Sequence, residues 1–203
     1  PGADKILTSD ASGNATWAAA AAGGSMVYLA ENVITAEVTS ISFNDLFSST
    51  YRNYRFYFNN VLPAATNNDM YMGVRATTGG TLLTTNYLCM ARGTTTASGW
   101  VSVAVQAYGA AHTRVFNTAS ATDGINGYVD VMNPFQSGAA DFTRMTWMLN
   151  GYYVGGSSWG VQYGGSDTQA VTSCAHMQFF AGGTHTGDAS IDGYIRAYGI
   201  KES

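Results

Sequence analysis

From residue 26 onward, apolar and polar positions alternate with a period of two. In 53–61, NYRFYFNNV, the side chains of Tyr54, Phe56 and Phe58 fall on one side and those of Arg55, Tyr57 and Asn59 on the other. That is the pattern of a strand with one face in a core. The stretch 69–77 repeats it with Met70, Met72 and Val74, and 99–109 repeats it with Val101, Val103 and Val105. Similar runs lie at 38–43, 86–92, 113–117, 124–134, 142–154, 160–164, 174–182 and 189–201. Run length predicts about ten strands.

Glycine pairs punctuate these runs. They stand at 23–24, 79–80, 155–156, 164–165 and 182–183, and the last four are expected at strand ends. Glycine reaches positive φ without steric cost, which suits it to turns. No stretch of ten or more residues carries a helical pattern, and 44–51 is expected to form one short turn capped by Asn44 or Asp45. Short strands without crossover helices predict an all-β fold, an antiparallel two-sheet sandwich of jelly-roll type, over residues 26–203. Residues 1–25 differ in kind. Ile6, Leu7 and Trp17 precede five alanines and Gly23–Gly24, which predicts an extended N-terminal shaft or linker.

Composition narrows the function classes. Hydrophobic residues make up 46% of the chain, enough to fill a core, whereas charged residues make up 11%. The charged share is less than half of the usual ~25%. Low charge with ample apolar content excludes disorder for the bulk of the chain. The surface must then be built from Thr, Ser, Asn, Gly and Tyr. Net charge is −4 and the nine basic residues are scattered singly, so no nucleic-acid partner is expected. No apolar run approaches the ~20 residues of a membrane span, so no membrane insertion is expected. The chain begins at Pro1 without a basic or apolar leader, as expected of a mature or excised piece of something longer. Cys89 and Cys174 read as buried thiols, with a single disulfide as the alternative.

Little in the sequence points to catalysis. A glycosidase needs two carboxylates at ~5–9.5 Å, and only Asp130 and Asp192 lie within strand-like runs. Asp192, next to Gly193, also fits a bulge or an edge. Cys174 and His176 share a strand face, but a closed zinc site needs four ligands, so they read as a core cysteine beside a hydrogen-bonded histidine. No catalytic residue, metal or cofactor is expected. Binding chemistry is more visible in 150–167, NGYYVGGSSWGVQYGGSD, which sets aromatic rings among neutral hydrogen-bonding groups, as sugar recognition requires. Trp147, between Met145 and Leu149 at period two, belongs to the core. The candidate ligand-binding residues are Tyr153, Trp159 and Tyr163 beside glycine turns, with Asn150 and Gln162.

The opening DKILTSDASGNATW resembles the G-x-VLTSDASGNATW phrase of phage tail fibres and related virion proteins. Residues 40–66 resemble the start of a β-sandwich domain of phage structural proteins, with one extra alanine before Thr66. Residues 171–201 resemble its end, where members finish on a strand ending LYGIK and this chain has Ala197 in place of the bulky residue. The resemblance implies a non-enzymatic virion protein, exposed on the particle and forming the distal head of a homotrimeric tail fibre that adheres to a host-surface glycan or protein. It implies that Ile6, Leu7 and Trp17 bury their own copies around a threefold axis, or contact other virion proteins. Fully burying a Leu- or Ile-sized side chain is worth roughly 1.5–3 kcal/mol. The alternatives are a capsid-attached fibre or decoration protein used in assembly, and a glycan-cleaving tailspike.

Overall fold

The computed structural model describes residues 5–9, 12–19, 26–65, 68–76, 80, 82–83, 87–95, 99–101, 106–110, 112–119, 122–135, 142–153, 158–168, 173–181 and 190–201. The strands of the first part are β1 (Lys5–Ser9), β2 (Ala15–Ala19), β3 (Met26–Ile34), β4 (Ile41–Phe43), β5 (Asn53–Pro63) and β6 (Asn68–Arg75). The middle holds β7 (Tyr87–Thr95), β8 (Gly99–Val101), β9 (Gln106–Ala110), β10 (Thr113–Ala119) and β11 (Ile125–Met132). The last are β12 (Arg144–Tyr153), β13 (Ser158–Thr168), β14 (His176–Ala181) and β15 (Ser190–Ile200). Every described pairing is antiparallel. Among the described residues there is no helix.

One sheet begins β3-β15-β5-β11, and a second runs β4-β14-β6-β10. Taken in chain order, these strands give the two interleaved sheets of a jelly roll. Two insertions enlarge it. β12 and β13 follow β11 in the chain, β7 to β9 follow β6, and the order β11-β12-β13-β7 extends the first sheet sideways. β8 and β9 both pair with β7. Among the described residues a single bridge, between Ala119 and Tyr153, ties the two sheets together at one corner.

Aromatic side chains fill the space between the sheets. Phe56 of β5 packs edge-on against Phe43 of β4 at 5.2 Å and Phe179 of β14 at 5.3 Å between ring centroids. Tyr54, Phe56 and Phe58 are all buried, as the alternation of 53–61 requires. Trp147 is buried among them with Met145 and Leu149. Burial of one such side chain contributes roughly 1.5–3 kcal/mol. Ala197, where the resembled domain carries a bulky residue, is fully buried and pairs with Phe56 on β5 and Ala30 on β3.

Several expectations are corrected. Gly164 and Gly165 do not end a strand; they lie inside β13. A Cβ on Gly164 would sit 2.3 Å from the Met90 carbonyl oxygen and 2.4 Å from the Trp147 ring, so glycine is there for close packing. The run 99–109 appears as two short strands, β8 and β9, with residues 102–105 outside the described set. β3 was not among the expected runs, because a register shift beside Ala197 and Tyr198 blurs its alternation. Of the two readings open for Asp192, bulge or edge, the bulge is the one found. β15 runs between β3 and β5, its register shifts between Asp192 and Tyr194, and Gly193 has φ +101°. Among the described residues of 1–25, β1 and β2 pair as a hairpin, with Leu7 opposite Trp17 and Ile6 opposite Ala18. Gly13, at φ +83°, supplies the left-handed residue of its turn.

Candidate ligand-binding surface

The inserted strands carry the exposed aromatic residues. On β12, Met145, Trp147 and Leu149 face the core while Thr146, Met148 and Asn150 face solvent. Cross-strand register then sets their neighbours on the same face. Tyr152 stands opposite Trp159, Asn150 opposite Val161, Met148 opposite Tyr163 and Thr146 opposite Gly165. Trp159 is 51% exposed and Tyr163 36%. The ring of Tyr152 props Trp159 edge-on, with centroids 5.9 Å apart. Asn150 lies diagonally between Trp159 and Tyr163, so three of the five expected ligand residues share one open strip.

The other two are placed differently. Gln162 is a correction: it points inward and is 3% exposed. Its Oε1 accepts the Asn117 backbone N–H at 2.8 Å and its Nε2 donates to the Asn117 carbonyl at 3.2 Å. That pair of bonds pins β13 to β10. The buried Ser166 hydroxyl, 2.7 Å from the Thr113 hydroxyl, does the same further along. Polar groups at the inner face of β13 thus make a hydrogen-bonded seam between the sheets. The backbone of Tyr153 pairs with Ser158, but its side chain lies outside the described set.

The strip continues onto β7, which sequence reasoning did not single out. Arg92 is opposite Tyr163, Met90 opposite Gly165 and Leu88 opposite Asp167. Met90 is 64% exposed. Because Gly165 has no side chain, a shallow groove of about 320 Å³ opens there, lined by Leu88, Met90, Met132 and Thr146 with Arg144 and Asp167 at its edge. These residues come from four strands, gathered by the β7-β13-β12-β11 pairing.

The acidic residues with any claim to catalysis are engaged in local structure. Asp130 accepts from Nε of Arg55 at 2.6 Å and from Nη2 at 2.7 Å. The bond to Asp130 holds the Arg55 guanidinium above its ordinary pKa, against the opposing pull of burial. Arg55 also lies over the ring of Tyr128 at 4.4 Å. Asp192 accepts the backbone N–H of Gly193 at 2.7 Å. Asp69 accepts from Arg114 and from the Tyr71 hydroxyl, and burial above all raises the Tyr71 pKa to about 12. Cys174 is a buried free thiol whose pKa burial pushes up to about 11, out of the range of a reactive thiolate. Among the described residues no group of three or more His, Cys, Asp and Glu side chains could hold a metal ion.

The hairpin residues expected to make oligomer contacts are open within one chain. Leu7 is 58% exposed and Trp17 51%, side by side across β1 and β2. The side chain of Ile6 lies outside the described set.

No protein-family model matches the chain, and neither a curated protein nor a solved structure matches it.

Proposed function

We propose that the chain is a non-enzymatic phage virion protein, the distal head of a homotrimeric fibre that adheres to glycan on a host surface. The carrying observation is the solvent-facing strip of Trp159, Tyr163 and Asn150 on paired strands. Two exposed aromatic rings with a neutral amide between them suit a pyranose, whose C–H face stacks on a ring while its hydroxyls bond to amides. The resemblance of the two ends of the chain to fibre proteins supplies the virion context. An extended sheet over an aromatic core holds the rings without ordering them at each encounter. Each site would be shallow, and several copies on one particle would add strength through effective concentration.

The test is adhesion of the labelled protein to host cells. Trp159→Ala with Tyr163→Ala should abolish it while leaving the thermal transition in place, because both rings are outside the core. Undiminished adhesion by that double variant would defeat the reading. A second reading, a fibre or decoration protein acting in assembly, draws on the open Leu7–Trp17 pair of the hairpin, which suits docking onto another virion protein.

A further inference from the structure

The same strip carries two exposed arginines. Arg92, in register with Tyr163, and Arg144, in register with Asp167, are both exposed. Elsewhere Arg55, Arg114 and Arg196 are each paired with a carboxylate, and Arg75 donates to Ser42 and Asn44. Among the described residues, no ion pair or side-chain hydrogen bond engages Arg92 or Arg144. A chain of net charge −4 therefore presents a locally positive face at its aromatic strip, where Asp167 is the nearest opposing charge by register. Such a face draws an anionic ligand that the rest of the surface repels.

Spacing adds a length requirement. Trp159 and Tyr163 are four residues apart on β13, or about 14 Å at ~3.4 Å per residue. No single sugar touches both rings. Arg144 lies four residues beyond Met148, the β12 partner of Tyr163, so it is a similar step further along the strip. Between them Gly165 leaves the path open.

Resting on the adhesion reading above, we infer that the strip takes an acidic oligosaccharide laid along β13. Its rings cover Trp159 and Tyr163, and acidic groups that recur along it meet Arg92 and then Arg144. The charge complementarity favours this ligand over a neutral glycan, which would leave both guanidinium groups facing water alone.

The experiment measures binding of the full chain to uronate and sialate oligosaccharides of graded length, each paired with its methyl ester. Pairing removes charge and keeps the ring. The acidic forms should bind, more tightly as length grows, and added salt should weaken them. Arg92→Gln should lower affinity about tenfold, the scale of one charge-assisted hydrogen bond. Arg144→Gln should weaken only the longer chains. Equal affinity for the methyl esters, or no effect of Arg92→Gln, overturns the inference. Binding confined to neutral glycans and lost in Trp159→Ala also overturns it, while leaving adhesion standing. Absence of all glycan binding together with absence of cell adhesion removes both.

Discussion

The Nδ1 atom of His176 accepts the backbone N–H of Asp45 at 2.8 Å, with the imidazole almost wholly inside the protein. Asp45 sits at φ 52°, so this bond holds a left-handed turn after β4 against the start of β14. Accepting at Nδ1 requires the neutral ring with its proton on Nε2. Burial lowers the His176 pKa, and Arg75 adds to that effect while the Asp45 carboxylate opposes it. The unfolded chain then binds the proton more readily than the native one. Stability should be level above the ordinary histidine value of ~6.5 and should fall as pH drops below it toward the lowered native pKa. Urea midpoints measured across that window check this. His176→Gln keeps an acceptor without a titrating proton and should remove the slope.

Gly164 is predicted to be the least replaceable residue of β13. A methyl group there would meet the Met90 carbonyl oxygen at 2.3 Å and the Trp147 ring at 2.4 Å. Neither a strand carbonyl nor a buried indole yields easily. Gly164→Ala should therefore cost about 3 kcal/mol, the upper range for overpacking. Gly165→Ala is the control, since its nearest neighbour would be an ordinary 3.7 Å away. Denaturant titration should show a large shift for the first variant and almost none for the second.

These residues also show what the sequence makes legible. Phe56 and Trp147 could be assigned to the core because apolar alternation is a local property of one strand. Gln162 could not be placed, because its inward position follows from a backbone partner, Asn117, on another sheet. Gly164 reads locally as a turn, and its packing role depends on Trp147 and Met90 on the two neighbouring strands. Arg92 and Arg144 are unremarkable single charges until strand pairing sets both beside β13. Pairing partners across long loops are a tertiary outcome, which alternation along one strand does not encode.

The Arg55–Asp130 pair offers a test of structure against catalysis. Both side chains are mostly covered, at 29% and 19% exposed, and two hydrogen bonds join them. Asp130→Ala should cost about 1–2 kcal/mol, a charge-assisted bond reduced by partial solvent screening. Arg55→Ala should cost a similar amount, since the guanidinium also covers the Tyr128 ring. The double variant should fall short of the sum by about 1 kcal/mol, the coupling expected of contacting residues. Adhesion to host cells should be unchanged in all of these variants, because the pair lies outside the proposed strip.

The hairpin gives the sharpest prediction about assembly. A two-stranded sheet is marginal in water on its own. Leu7 and Trp17 nevertheless stand exposed across β1 and β2, an apolar pair that needs a covering surface. If three copies cover one another, burying each leucine contributes about 2 kcal/mol, or about 6 kcal/mol per trimer, before the tryptophans are counted. Light scattering on the full chain should then give a trimer. Leu7→Ala with Trp17→Ala should give smaller species at the same concentration, with the thermal transition of the head retained because neither side chain belongs to its core. A monomer for both proteins would reject self-association through the hairpin. The Leu7–Trp17 face would then need a different virion protein to cover it, and the assembly reading would displace the fibre head.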